Sequence, residues 1–325
     1  QEMKERIQKL LGRGIKGHWT AQREGNVGTG EIGIGTFHSI CAGILRNEAG
    51  VLGYKKNFSI YDEDDQLDLI KKVMEDLKFS SKNFNPYSIL KRISKLKSEL
   101  VHPENFEKEE KNYYEKTVSQ VYGSYQKDLQ KANALDFDDL IMLTVRLFQK
   151  NPEILEKYQN KFSHILVDEY QDTNTGQYVL TKMLAEKNKN LFAIGDTDQS
   201  IYAWRHADFR NMLNFEKDFP EAKIIRLEQN YRSTKNILAA GQSLIKNNVY
   251  RHEKNLWTEN PEGEKILVAE LNDEKEEARF IIEKMKELVK KGYKLSDFAI
   301  LYRTHAQSRP LEEEFLTQGF PYKII

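Results

Sequence analysis

The chain has 325 residues, 39% of them apolar and 31% charged, with fifty Lys and Arg balanced by fifty Asp and Glu. That apolar content excludes an intrinsically disordered chain, and the length suits two or three domains rather than one. The neutral sum excludes a polycationic tail as a binding device but not a nucleic-acid groove, because local patches set the surface field.

In chain order, Glu2–Leu11 has the spacing of a short helix and runs into a Gly-rich stretch, Gly12 to Gly35. Residues 37–46 read as helical. From about Asn47 to Ala132 no strand signal occurs, and charged segments with helical spacing cover Asp64–Leu77, Pro86–Leu100 and Pro103–Gln130. An amphipathic helix follows at 135–148. Thereafter apolar runs of strand length alternate with helical segments: HILVDE (164–169), a helix at 175–186, LFAIGD (191–196), a helix at 208–217 and KIIRLE (223–228). The alternation continues with a helix at 234–247, ILVAEL (266–271), a helix at 274–290, DFAILY (297–302), a helix at 306–318 and a final strand-like PYKII. Strands each followed by a helix predict α/β architecture with parallel sheets covered on both faces. The one break, near Glu228–Ser233, marks the expected seam between two α/β cores.

Cys41 is the single cysteine, so no internal disulfide is available, and no Cys/His cluster has zinc spacing. No run approaches the ~18 consecutive apolar residues of a membrane span. A cytoplasmic protein without membrane partners is expected. Cys41 falls beside Ile40 and Ile44 on a helix and reads as a packed thiol. Lys91, Arg92 and Lys95 read as a solvated helix face, with a strand-contacting role as the lesser alternative.

Three segments carry chemistry. In HILVDEYQDTN (164–174) an apolar strand ends in Asp168 and Glu169, the form of a Walker B site. Open α/β sheets bind ligands at that end of their strands. Alternation along the backbone lets one carboxylate face Mg²⁺ while the next reaches an attacking water. Alone, such a motif is matched by any solvated acidic turn. The second segment, AIGDTDQSIYAWR (193–205), delivers Gln199, Tyr202, Trp204 and Arg205 just past another apolar strand. An amide beside a phosphate can report a terminal phosphoryl group, rings offer faces to bases, and Arg offers a fork for phosphate. The third, LEQNYRST (227–234), places Tyr231 and Arg232 before Ser/Thr capping residues.

Together these closely resemble motifs II, III and IV of the UvrD/PcrA/Rep-type superfamily 1 DNA helicases. TFHS (36–39), LDFDDLI (135–141) and AILYRTHAQSRPLEEEFLTQGFPY (299–322) match the same family. The resemblance implies two RecA-like parallel-sheet cores of the P-loop NTPase class. Residues 1–46 and 133–222 would form the first core, 47–132 an all-α insertion in it, and 223–325 the start of the second. It implies ATP and Mg²⁺ as cofactors, with Asp168 on the metal, Glu169 on the hydrolytic water, and Gln199 and Arg232 on the γ-phosphate. Tyr231 would stack on adenine. Thr36, Phe37, His38, Tyr202, Trp204 and Arg205 on the first core, and Arg303, Thr304 and His305 on the second, would contact DNA. The implied activity is 3′ to 5′ translocation on single-stranded DNA and single-strand/duplex junctions, in a bacterial cytoplasm or nucleoid, alongside repair or replication proteins.

The departures are specific. No GxxxxGK[ST] run occurs in the 325 residues, and motifs V and VI of the family have no counterpart. The chain begins as if in mid-helix and ends on a strand-like run, so a fragment inactive by itself is expected. His206 stands where the family usually has Gly, Ala203 where Arg is frequent, and His305 where Asn is usual. Two alternatives follow: a non-catalytic single-strand-binding or interaction module descended from the motor, and part of a RecB/AddA-like helicase–nuclease subunit.

Overall fold

The computed structural model describes residues 6, 33–107, 112–249, 251 and 253–325. Apart from Arg6, the expected helix Glu2–Leu11 lies outside the described residues, as does nearly all of Gly12–Gly35. The chain divides into two compact units: Gln1–Leu227 with Ile245–Lys254, and Glu228–Leu244 with Asn255–Ile325.

In the first unit, helices α1 (Phe37–Glu48), α2 (Glu63–Asp76), α3 (Pro86–Ser98), α4 (Pro103–Phe106), α5 (Tyr113–Lys131), α6 (Phe137–Lys150), α7 (Pro152–Lys161) and α8 (Thr175–Ala185) surround two small sheets. Their starts are written locally. Pro86, Pro103 and Pro152 occupy first-turn positions where the missing N–H costs nothing. Asp62 with Asp65, Asp136 with Asp139, and Asn174 with Gln177 form reciprocal capping boxes. Strand β1 (Ser59–Tyr61) pairs in parallel with β2 (Ala134–Asp136), which corrects the expectation of no strand between 47 and 132. Three residues are too short to show an alternation of their own; the pairing comes from residues 75 positions downstream, Ser59 opposite Ala134. The expected helix Pro103–Gln130 is likewise two helices, α4 and α5.

Strand β3 (Ile165–Val167) pairs in parallel with β4 (Leu191–Ala193), Leu166 opposite Phe192. The bonds Ile194 N–H to Val167 O and Tyr170 N–H to Ile194 O, both 2.9 Å, carry the pairing to the strand ends. One apolar cluster packs α1, α6 and α8 around Ile44, Leu45, Leu140, Leu147 and Phe148. A second packs α2, α3 and α5 around Ile70, Met74, Ile89, Ile93 and Tyr125. Cys41 is buried in the first cluster, its thiol pushed up to about 12 by burial, as a packed rather than reactive thiol requires. The 208–217 segment is two short helices, α9 (Arg210–Leu213) and α10 (Phe215–Asp218).

The second unit holds α11 (Lys235–Ile245, the last residue of which counts with the first unit), α12 (Glu274–Lys290) and α13 (Ser308–Thr317). Ile282, Met285 and Phe315 form its small core. The strands expected at 266–271, 297–302 and 321–325 form no ladder among the described residues, nor does 223–228. The second unit's pairing is the single parallel bridge of Gln229 with Trp257. Val268 and Leu301 are 88% and 94% exposed. An apolar run supplies the side chains of a buried strand, but a ladder also needs a neighbour's N–H and C=O groups in register.

Candidate nucleotide and DNA site

Because β3 and β4 are parallel neighbours, the segments leaving their C-terminal ends emerge side by side, where open α/β sheets place ligands. Asp168 and Glu169 leave β3; Gly195 to Gln199 leave β4. Asp168 is exposed and one of its oxygens accepts the Glu169 N–H at 3.0 Å. Glu169 is also exposed and sits at φ 50°, ψ 46°, left-handed geometry that costs a non-Gly residue roughly 1–2 kcal/mol and collects at functional turns.

The two turns are tied together by hydrogen bonds. Gln171 Nε2 donates to Glu169 Oε2 at 2.8 Å, and Gln171 Oε1 accepts the Asp196 N–H at 2.9 Å. Gln199 Nε2 donates to Asp196 Oδ2 at 2.7 Å. On its other oxygen Asp196 meets the Lys254 ammonium, and Asp198 faces Arg251 at 2.9 Å and Lys254 at 3.3 Å. Burial alone would raise the Asp196 carboxyl, but Lys254, Gln199 and the Asp198 N–H outweigh it and hold the group below its ordinary value. Asp172 moves the opposite way, raised by burial and by the charge of Glu169.

Past this turn, Tyr202 and Trp204 lie 6.2 Å apart, with the Arg205 guanidinium 4.6 Å from the Trp204 ring centre and 5.6 Å from that of Tyr202. Trp204 is 63% exposed, so the cluster presents rings and a cation to solvent instead of filling a core. His206 closes it at φ 66°, the left-handed conformation glycine adopts without strain. The departure noted in the sequence therefore falls on a position that strains a side chain. Ala203 opens the same short turn.

Thr36 caps α1, its hydroxyl accepting the Ser39 N–H at 3.2 Å, and Phe37 packs partly into the first core. His38 meets the ring of Phe137 edge-on at 6.1 Å, and burial lowers its pKa. In the second unit, Asn230 Oδ1 accepts the N–H groups of Arg232 and Ser233 at 3.0 and 2.8 Å and holds Tyr231 and Arg232 exposed. Gln307 Oε1 takes the N–H groups of Arg303 and Thr304 at 2.9 and 3.0 Å, and His305 stands edge-on to Tyr302. Asp168, Glu169 and Gln199 are thus brought together on the first unit, while Tyr231, Arg232, Arg303, Thr304 and His305 belong to the second.

Sequence reasoning missed Gln171, Phe137, Arg251 and Lys254. Gln171 lay inside a quoted motif, but only its burial singles it out. Phe137 falls in the expected amphipathic helix at 135–148 and is 49% exposed. Lys91 and Lys95 pair with Glu63 and Glu99 at 2.9 and 3.9 Å on an exposed face, whereas Arg92 pairs with Glu115 at 3.1 Å in a partly buried position.

Among the described residues, no group of three or more His, Cys, Asp or Glu could hold a metal ion, and no helix is long and apolar enough to cross a membrane. Residues 1–220 match the model of the UvrD/REP helicase N-terminal domain, and residues 225–325 that of the UvrD-like helicase C-terminal domain. The whole chain is 51% identical to the ATP-dependent DNA helicase PcrA of Bacillus subtilis, 50% to that of Staphylococcus aureus and 48% to that of Staphylococcus epidermidis. It spans 42–43% of the length of these relatives. With both domain models matched end to end along its motifs, the chain belongs to the UvrD/REP helicase family, whose domains have the RecA-like fold of P-loop NTPases.

Proposed function

We propose that this chain works as part of an ATP-dependent DNA helicase that moves 3′ to 5′ on single-stranded DNA and acts at single-strand/duplex junctions in repair or replication. In this reading residues 1–46 and 133–222 belong to the first RecA-like core, 47–132 are a largely helical insertion, and 223–325 open the second core. The observation that carries it is the placing of Asp168, Glu169 and Gln199 at adjacent parallel-strand ends, followed directly by the exposed Tyr202–Trp204–Arg205 cluster.

Asp168 is the residue that would hold Mg²⁺. A single open carboxylate fits, because Mg²⁺ takes one or two protein carboxylates and completes its shell with water and phosphate oxygens. When bound, the ion neutralises charge building on the terminal phosphates. Glu169 accepts the proton of the attacking water, and Gln199 offers its amide to the outer phosphoryl group. Arg232 is assigned to the same group by its motif, a contribution worth roughly 10³–10⁵ in rate in related NTPases. Tyr231, 79% exposed, offers its face to adenine. Thr36, Phe37, His38, Tyr202, Trp204 and Arg205, with Arg303, Thr304 and His305 from the second core, line the strand. Phe137 joins them, since its exposed ring meets His38.

The test is strand binding. Trp204→Ala is expected to weaken the affinity for a fluorescent oligo-dT roughly 10–100-fold, the equivalent of one lost stacking platform, measured by anisotropy at fixed salt. Unchanged affinity in that variant would count against the DNA face assigned here. Because no phosphate loop occurs in these 325 residues, the chain alone is expected to show no single-strand-stimulated phosphate release, and robust turnover would refute that expectation.

A further inference from the structure

We infer that Gln171 is a positioning residue that couples the water-activating carboxylate to the phosphate-sensing amide, a role that rests on the reading of Glu169 and Gln199 given above. Gln171 is 1% exposed, and both ends of its carboxamide are in use. Nε2 donates to Glu169 Oε2 at 2.8 Å and, more weakly at 3.4 Å, to Asp172 Oδ2; Oε1 accepts the Asp196 N–H at 2.9 Å. An amide supplies a donor and an acceptor on one planar group, and here the donor faces carboxylates and the acceptor a backbone N–H. From Asp196 the string continues to Gln199 at 2.7 Å. Three hydrogen bonds thus connect the oxygen of Glu169 to the amide of Gln199.

The fit around Gln171 is close. A Cβ on Gly195 would lie 2.7 Å from Gln171 Oε1 and 3.2 Å from its backbone nitrogen, distances that require one of them to shift. The absence of a side chain at 195 is what lets the two turns close on Gln171. The far side of the string is anchored too, since Asp196 also meets the Lys254 ammonium. Gln199 holds the carboxylate of Asp196 while the backbone N–H of the same residue holds Gln171, so a reorientation of Gln199 acts on Gln171, and on the Glu169 oxygen, through the placement of residue 196.

The experiment is steady-state ATP hydrolysis with saturating oligo-dT, beside oligo-dT affinity, in the protein expressed from its complete reading frame. Gln171→Met keeps the volume and removes the hydrogen bonds of the carboxamide; kcat is expected to fall roughly tenfold or more, with KM for ATP and affinity for oligo-dT within about threefold. Gln171→Glu keeps the length but replaces the donor by a third carboxylate beside Glu169 and Asp172, and the same loss of kcat at unchanged KM is expected. A merely structural role would lower binding and turnover together and would not split kcat from KM. The coupling role is overturned if both variants, with melting temperatures near that of the parent, retain kcat within twofold. Should Gln171→Met unfold, the kcat of Gln171→Glu decides alone. Glu169→Gln serves as the control. If it too retains turnover, the underlying assignment of Glu169 has failed; if it is inactive while the Gln171 variants are normal, only the coupling has.

Discussion

Glu169→Gln is expected to abolish translocation while leaving single-strand affinity within about twofold, with turnover falling roughly 10²–10⁴-fold as for the loss of a positioned general base. The substitution is nearly isosteric and removes the acceptor that would take the water's proton. It leaves the strand pairing of β3 with β4 untouched and does not reach Tyr202, Trp204 or Arg205, which lie past the neighbouring strand. The left-handed backbone at Glu169 tolerates Gln no worse than Glu, so folding is not the confounder. Single-turnover phosphate release and a stopped-flow translocation assay, beside anisotropy for binding, read the two halves separately. Undiminished unwinding by this variant would remove Glu169 from the chemistry.

Lys97→Met is expected to cost the first unit about 3–5 kcal/mol of stability, because it leaves buried charges without their partner. The Lys97 ammonium lies 2.6 Å from Asp136 Oδ2 and 2.8 Å from Asp139 Oδ1, with all three side chains at most 2% exposed. Tyr125 donates to Asp136 at 2.9 Å and Gln126 to Asp139 at 3.0 Å. This network joins α3, in the second apolar cluster, to the N-terminus of α6, in the first. The acids of LDFDDL thus hold a buried cation as well as lying at a helix N-terminus.

The pH dependence has a definite sign. Burial pushes the Asp139 carboxyl up, as does the charge of Asp136, and Lys97 opposes both. Removing Lys97 leaves the Gln126 hydrogen bond against burial and the Asp136 charge, so the carboxyl moves further up. A carboxyl whose folded pKa lies above its unfolded value, about 3.9, costs stability as pH rises from that value through the folded pKa. The deficit of Lys97→Met relative to the parent should therefore shrink toward pH 4 and widen toward neutrality. Urea denaturation at a series of pH values measures it, and a deficit independent of pH would show that the acids do not carry the charge assigned to them.

Sequence alone determined the local features. Helical spacing located most of the helices, though not the one at Pro152–Lys161, apolar runs located β3 and β4, and paired acids past a strand located the candidate Mg²⁺ and water residues, because each is a property of neighbouring residues and their periodicity. Family membership was equally legible, since its motifs are short and contiguous. Tertiary structure decided what depends on distant partners. The short strand Ser59–Tyr61 exists through pairing with residues 75 positions later. The runs at 266–271 and 297–302 have a strand's pattern but no ladder among the described residues, because hydrogen-bond partners are not encoded in the run itself. Phe137 is half-exposed, and Gln171 and Lys97 are buried. Burial is decided by what packs over a residue, and only the fold brought the carboxylates that Gln171 and Lys97 serve to within hydrogen-bonding distance.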